Sequence, residues 1–461
     1  MPAVNAPTTS KVTVQIAGQP EYTTEIQRSP QAKATPSDYV DMFMGTGHSR
    51  WMIAPGPWMP YGMVKLSPNN QNSGWQSGYE PTIQNVAGFS HIHEWTMAGL
   101  LLMPTTGSLQ TRVGDQYKPD KGYRSRIDKD KEQGGIGYYS TYLTDYDIQA
   151  ELTATTRAGL QRYTFAPAEE ARVLIDLQIP AEYKFDVLDC EITKVSDYRV
   201  EGYSTQHSSR VWFDSHQDYT VYFVVEFDQP ITEFGVWEDR KVKLNTDTLK
   251  AKEPRDAGAF AEFNMEDGGV VQARTSISLV SLEGALLNLE TELAKPFDWD
   301  FEAVVQNQRD AWDDIFNRVE IETADYRDKV RFYTNLYRAY CARTIWSDVD
   351  GKWVGPHEKV HQLPDPDSPV YGCDAFWNTF WNLNQVWNLL TPEYSANWVR
   401  SQLALYDVGG WLSKGPAGME YIPVMVAEHE IPFMVAAYQL GIQDFDAEKA
   451  LEAMVKMQTA P

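Results

Sequence analysis

The sequence predicts a multidomain β + α protein, an N-terminal antiparallel β-sandwich followed by an all-α part. Three observations predict it. Up to about residue 290, short runs rich in β-branched and aromatic residues alternate with turn signals of Gly, Pro, Asp and Asn. Beyond that point the apolar period lengthens to that of a helix. The chain of 461 residues, 43% hydrophobic and 13% aromatic, is too long for one ordinary core and has ample material for two.

Within the first part, Arg172–Leu177 (RVLIDL), Tyr219–Phe227 (YTVYFVVEF) and Val270–Leu279 (VVQARTSISL) read as strands. Their regular spacing implies two packed antiparallel sheets. Leu282–Phe301 reads as a linker helix at the boundary. In Lys329–Ile345, Phe332, Leu336, Tyr340 and Ile345 mark one helical stripe, and Phe376, Phe380, Val386 and Leu390 mark a second. Trp398, Leu403 and Leu405 mark a third that ends at Gly409-Gly410. Ile431, Val435 and Tyr438, closed by Gly441, mark a fourth, and Asp446–Met457 a fifth. With no strands read between them, these helices form an all-α domain. The resulting division is an extension over 1–36, a sandwich over 37–285, linker helices over 286–320 and a helical part over 321–461.

A formal net charge of -24 disfavours nucleic acid and anionic lipid as partners and suits a soluble protein with a neutral or cationic ligand. No apolar run is long enough to span a bilayer. Cys190, Cys341 and Cys373 lie far apart, so neither a disulfide framework nor a thiolate zinc site is expected. Residues 1–36 lack the basic start and apolar stretch of a signal peptide. Trp51, Trp58, Trp75 and Trp95 sit in loop-like sequence beside Gly, Pro and Asn. Such rings either wall a sugar site, packing on its C–H faces, or fill the core.

The chemistry-bearing sequence is concentrated in three stretches. Met44-Gly45-Thr46-Gly47-His48 is followed by Pro60-Tyr61-Gly62-Met63-Val64, Leu66-Ser67-Pro68, Ser77-Gly78-Tyr79 and Gly88-Phe89-Ser90-His91-Ile92-His93, with Leu101-Leu102-Met103-Pro104 at the end. So many Gly and Pro residues beside His and Trp describe a shaped loop surface rather than a regular element. Second comes Ser347-Asp348-Val349-Asp350-Gly351, and third Phe376-Trp377-Asn378-Thr379, Gly409-Gly410-Trp411-Leu412, Gly418-Met419-Glu420 and Glu428-His429-Glu430-Ile431-Pro432. In this order, and with nearly this spacing, the stretches resemble glycoside hydrolase family 92, the calcium-dependent exo-α-mannosidases. The family carries GTGG-, PFGM-, LSP- and GFSHTH-type segments, then SDVDG, then WDT-, GGWLP-, GNE- or GRE- and GDHAVP-type segments. The resemblance runs from about residue 40 to the C-terminus.

The resemblance implies that the helices are the first part of an (α/α)6 toroid, that the activity is inverting and calcium-assisted, and that the location is periplasmic or secreted. It implies an oligosaccharide or glycan substrate, with Trp75, His48, His91, His93, Trp377, Asn378, Glu420 and His429 contacting the sugar, although Trp377 reads equally as a core residue. Family segments that bear the acid and base, of EGNAWQY and GNDDxGQMSAW type, do not occur here. The acid, the base and most calcium ligands are therefore expected beyond Pro461, in a continuation or on a second chain completing the helical part. A half-built toroid would expose apolar helix faces. Were the acid and base instead present, Glu420, Glu430 and Glu94 are the local carboxylates to consider. Glu430 also reads as a first-turn charge, and Glu94 as a partner for Arg50.

Two local readings stand beside the resemblance. Asp348 and Asp350 pair either as metal ligands or, more simply, as a turn whose side chains cap backbone N–H groups. A strand over His91-Ile92-His93 would place both rings on one face, a metal-binding spacing with no third ligand in view. The departures cluster in the sugar-facing stretches. The family's WDT aspartate is Asn378, Met419 replaces a polar residue, Glu94-Trp95-Thr96 replaces small residues, and Ser49-Arg50-Trp51 replaces glycine-rich sequence. They point to a different or modified sugar as one alternative. A non-catalytic carbohydrate-binding relative is another.

Overall fold

The computed structural model describes residues 6–28, 35–47, 53–70, 78–93, 97, 99–177, 185–208, 217–341, 343–372, 376–413, 416–417, 420–421 and 428–460. Two antiparallel sheets carry the first part. Across the nine-stranded sheet the order is Thr248–Lys252, Phe185–Ser196, Arg199–Ser208, Gln217–Phe227, Gly269–Ser278, Ala158–Phe165, Ile148–Ala154, Tyr138–Leu143 and Gln133–Gly135. Across the seven-stranded sheet it is Lys241–Leu244, Glu233–Glu238, Ala257–Met265, Ala168–Asp176, Leu101–Thr106, Gly88–Ser90 and Ser67–Asn69. The three predicted strands all lie in these sheets. Alternation drives the packing: the longer strands of both sheets send one face into a shared core in which Phe227 meets Phe263 at 4.9 Å and Phe89 meets Tyr163 at 6.3 Å.

The nine-stranded sheet is covered on its other face too. In Ala158–Phe165, Tyr163 and Phe165 face the inter-sheet core, whereas Ala158 and Leu160 lie under helices. The cover is α1 (Leu282–Leu289), its continuation through Phe297, and α2 (Phe301–Phe316). Ser281 caps α1 and Asp300 caps α2, each accepting from a first-turn N–H. Five further helices follow: α3 (Tyr326–Arg338), α4 (Leu383–Leu390), α5 (Pro392–Gly409), α6 (Glu430–Gln439) and α7 (Ala447–Thr459). Asp325 and Asp446 cap α3 and α7. Gly410, at φ 78°, ends α5 in the left-handed conformation that glycine adopts without a Cβ penalty.

Three sequence expectations are corrected. The first helical stripe stops at Arg338, and Thr344–Ile345 is a strand paired with Tyr371–Gly372. The second stripe breaks into a 3-10 turn over Thr379–Trp381 before α4 starts at Leu383. Short hairpins do lie between the helices, at Lys352–Gly355 with Lys359–Gln362 and at Pro416–Ala417 with Glu420–Tyr421. The helical part carries two apolar grooves. One groove between α3 and α4 is lined by Phe332, Leu336, Leu383, Val386 and Leu390, and another between α6 and α7 by Met434, Val435, Tyr438, Leu451 and Met454. Among the described residues no helix is long and apolar enough to cross a membrane.

The two parts are sewn together by a segment that belongs in sequence to the sandwich. Gln308 on α2 donates to the carbonyls of Pro57 and Ala154, both at 2.7 Å, and Trp312 donates to that of Trp58 at 2.8 Å. Arg157 pairs with Glu292 at 2.5 Å and donates to the Ser347 carbonyl. Beneath that carbonyl lies a buried polar node. Asp348 accepts from Ser278 Oγ at 2.6 Å and from Asn288 Nδ2 at 2.8 Å.

Burial pushes the Asp348 carboxyl up to about 6, against the pull of those two donors. A carboxyl whose folded pKa lies above its unfolded value binds its proton more tightly in the native state. Its stabilising contribution is whole below about pH 4 and is lost as pH rises through 6. Equilibrium unfolding should therefore show wild type gaining up to about 2–3 kcal/mol relative to Asp348→Asn as pH falls from 7 to 4. A constant difference between the two proteins would refute this assignment.

Candidate active site

Much of the Gly- and Pro-rich stretch is interior rather than loop surface. Residues 54–70 are buried almost throughout, and the stretch supplies the last three strands at one side of the seven-stranded sheet, with Ser67–Asn69 at the edge. Tyr61, with φ 53°, inserts its ring among Tyr340, Tyr371, Trp387, Tyr394 and Trp398. Its backbone donates to the Tyr340 carbonyl and accepts from Ile345 N at 2.7 Å. Four residues on, Lys65 is buried; its Nζ donates to the carbonyls of Cys341 and Arg343 and lies 5.1 Å from the Trp58 ring. Arg343, so held, lies over Trp387 at 4.8 Å, Phe376 at 5.7 Å and Trp398 at 5.9 Å.

On this aromatic base stands the turn carrying Trp377 and Asn378. Phe376 anchors it against Trp398 at 5.2 Å and Phe433 of α6 at 5.6 Å. Asn378 takes the left-handed conformation, φ 60° and ψ 9°, which Asn tolerates better than most residues. Its carbonyl accepts from Trp381 N at 3.1 Å, closing the 3-10 turn. The turn presents Trp377 at 58% exposure and Trp381 at 70%. Beside it, the buried His429 ring stacks on Phe380 at 5.6 Å, and Glu430 is fully buried in the first turn of α6.

Trp377, Asn378, His429 and Glu430 are thus brought to one region. The Glu420 backbone pairs with Ala417 in a hairpin beside Tyr371–Gly372, and its side chain lies outside the described residues. His48, Trp75 and Glu94 also lie outside them, as does Met419.

His91 and His93 are placed elsewhere, and the strand expected over them ends at Ser90. His91 is buried in the sandwich, Nδ1 at 2.8 Å from the Leu100 carbonyl and Nε2 at 2.6 Å from Thr275 Oγ1. A carbonyl only accepts, so Nδ1 carries the proton and Nε2 accepts from the hydroxyl. Burial lowers the ring to about 4, which keeps it neutral at pH 7. His93 meets Ser90 Oγ at 2.9 Å. With Lys65, Met63, Met97, Thr344 and Trp346 it lines a cavity between sandwich and helices with room for about one water.

The turn reading of the Asp348–Asp350 pair fits the geometry. Asp348 points into the polar node, whereas Asp350 accepts from Lys352 N at 3.0 Å and pairs with Lys352 Nζ at 2.8 Å. Burial raises Asp350, but the Lys352 contacts outweigh it and hold its carboxyl below the usual range. Among the described residues no three or more His, Cys, Asp or Glu side chains converge as metal ligands.

Sequence reasoning passed over Lys65, Arg343 and Trp381. A lone cation inside the apolar run Met63-Val64-Lys65-Leu66 was the available signal for the first, since buried lysines need partners.

The comparisons with known proteins agree with this architecture. The family model for the glycosyl hydrolase family 92 N-terminal domain matches residues 39–278, and that for the family 92 catalytic domain matches residues 284–461. Together the two matches cover the stretch over which the sequence resembles the family. An uncharacterized secreted glycosidase of Arthroderma benhamiae is 22% identical over 74% of this chain and 44% of its own length. A family GH92 α-mannosidase of Bacteroides thetaiotaomicron superposes with a TM-score of 0.83 at 25% identity, over 93% of this chain and 58% of that one. An inverting family GH92 mannosidase of the same organism gives 0.80 at 24% identity, over 93% and 56%. The chain thus spans about half the length of these relatives. None of these findings supports a second chain. With a sandwich, a helical part and family models matched to both, the chain belongs to glycosyl hydrolase family 92.

Proposed function

We propose that this chain contributes the sugar-facing part of an exo-acting glycoside hydrolase of the α-mannosidase type, inverting and calcium-assisted. The observation that carries the reading is the Trp377–Trp381 turn, with its exposed rings and Asn378 amide set beside His429 on a rigid aromatic base. Indole faces pack on sugar C–H faces, and an amide both donates to and accepts from ring hydroxyls. Inversion requires a carboxylic acid and a carboxylate roughly 6.5–9.5 Å apart on opposite sides of the anomeric carbon. The proposal draws that pair, and the calcium ligands, from outside the described residues. It places the protein in the periplasm or outside the cell, in keeping with the secreted fungal relative.

Asn378 also supports a second reading, a different or modified sugar. A neutral amide forms a weaker bond to a hydroxyl than a carboxylate does.

Titration calorimetry with α-mannobiose, alongside released-mannose assays on aryl α-mannoside and α-mannobiose, tests the proposal. With calcium present, the chain should bind α-mannobiose and release no mannose. Calcium-dependent release that chelator abolishes would move the acid and base into this chain and point to Glu94, Glu420 or Glu430. Failure to bind would overturn the α-mannoside reading in favour of another sugar.

A further inference from the structure

The nine-stranded sheet carries an open cleft on the face that the helices cover. Its volume is about 510 Å³, within the range of small-molecule sites. Arg199, Glu226 and Arg274 lie directly across from one another on three neighbouring strands and line it. Glu226 pairs with Arg274 at 2.7 Å and with Arg199 at 3.8 Å. At the Arg274 end stands Trp299, just before α2. The Arg274 guanidinium lies 4.3 Å from its ring, and its carbonyl accepts from Gln272 Nε2 at 3.2 Å.

At the Arg199 end stands Tyr198, in the turn between Phe185–Ser196 and Arg199–Ser208. Its ring is half-exposed and is no part of the core. The turn beneath it is fixed by backbone bonds. The carbonyls of Asp197 and Tyr198 accept from Ile231 N at 2.7 Å and Phe227 N at 2.9 Å. A ring presented from a fixed backbone costs little ordering when a ligand binds. The lining charges cancel, Arg199 and Arg274 against Glu226 and Asp228. An ionic ligand would compete with these pairs. A neutral polyol would not, because guanidinium N–H groups donate to its hydroxyls and carboxylate oxygens accept from them. Its C–H faces pack on Tyr and Trp rings.

We propose that this cleft is a second glycan-binding site, which takes a neutral sugar residue of a polysaccharide against Tyr198 and Trp299. It shares no residue with the Trp377–Asn378 turn. The ligand class stands on the cleft itself, and only α-mannan as the first probe rests on the α-mannoside reading.

Native electrophoresis of the whole chain through gels holding soluble α-mannan, dextran or polygalacturonate tests this. Trp377→Ala, which strips the turn of its ring, should still be retarded by α-mannan. Adding Tyr198→Ala should raise the apparent Kd about 10-fold, and Tyr198→Phe in its place should leave it unchanged. Melting temperatures of the Ala and Phe forms should agree, since the ring is half-exposed. Equal retardation with and without Tyr198→Ala would overturn the assignment. Retardation by polygalacturonate alone would overturn it too, by making the ligand acidic. So would the absence of retardation by either neutral polymer. Loss of all retardation in Trp377→Ala alone would place binding at the turn, overturning this inference and sparing the α-mannoside reading. Tyr198-dependent retardation by dextran and none by α-mannan would support the cleft and count against that reading.

Discussion

Lys65→Met is expected to destabilise the protein by about 3–5 kcal/mol, the largest single loss at the seam between sandwich and helices. The methionine preserves the unbranched stem and deletes the ammonium. Two buried carbonyls, those of Cys341 and Arg343, then lose their donor. The cation over Trp58 is lost as well. The consequence reaches the candidate site, because residues 341–343 carry Arg343 beneath Phe376 and thus beneath the Trp377–Asn378 turn. Hydrogen exchange should show faster labelling of residues 376–382 in the variant, together with a lower urea midpoint. An unchanged midpoint would show that water replaces the ammonium at no cost and would remove Lys65 from the seam.

Gly284→Ala is the second. In an ordinary helix this change stabilises by about 1 kcal/mol. Here the sign should reverse. A Cβ on Gly284 would overlap Asp348 Oδ2 and lie 2.8 Å from Ser278 Oγ, inside the node that joins α1, the last strand of the sandwich and the Asp348 turn. Neither neighbour is the loose end of a long side chain, so the node must open. Overpacking and a weakened buried hydrogen bond together predict a loss of about 2–4 kcal/mol. Denaturant unfolding would measure it, and a gain in stability would mean that the node yields freely.

Several features of this protein are local enough to be read from sequence. Alternation in Tyr219–Phe227 and Val270–Leu279 marks strands because a two-residue period has one structural meaning in a sheet. Gly409-Gly410 marks the end of α5 because a left-handed cap favours glycine. The order of short motifs from Met44 to Pro432 was enough to place the chain in its family. Other features depend on residues hundreds of positions apart. His91-Ile92-His93 carries a metal-like spacing, yet the strand ends at Ser90, before either histidine, and His91 is turned toward Thr275, 184 positions away. Residues 54–63 look like loop because Gly and Pro are frequent there, but α2 and α3 close over them and make them core.

The sequence by itself determined the two fold classes, their order and the family, since each rests on periodicity or motif order along the chain. Only the tertiary structure decided that Tyr61 and Lys65 fasten the helices and that Arg343 supports the Trp377 turn. It also decided that Asp348 is a buried joint. The physical reason is that burial and hydrogen-bond satisfaction depend on which distant groups come together, and no local pattern in the chain encodes that.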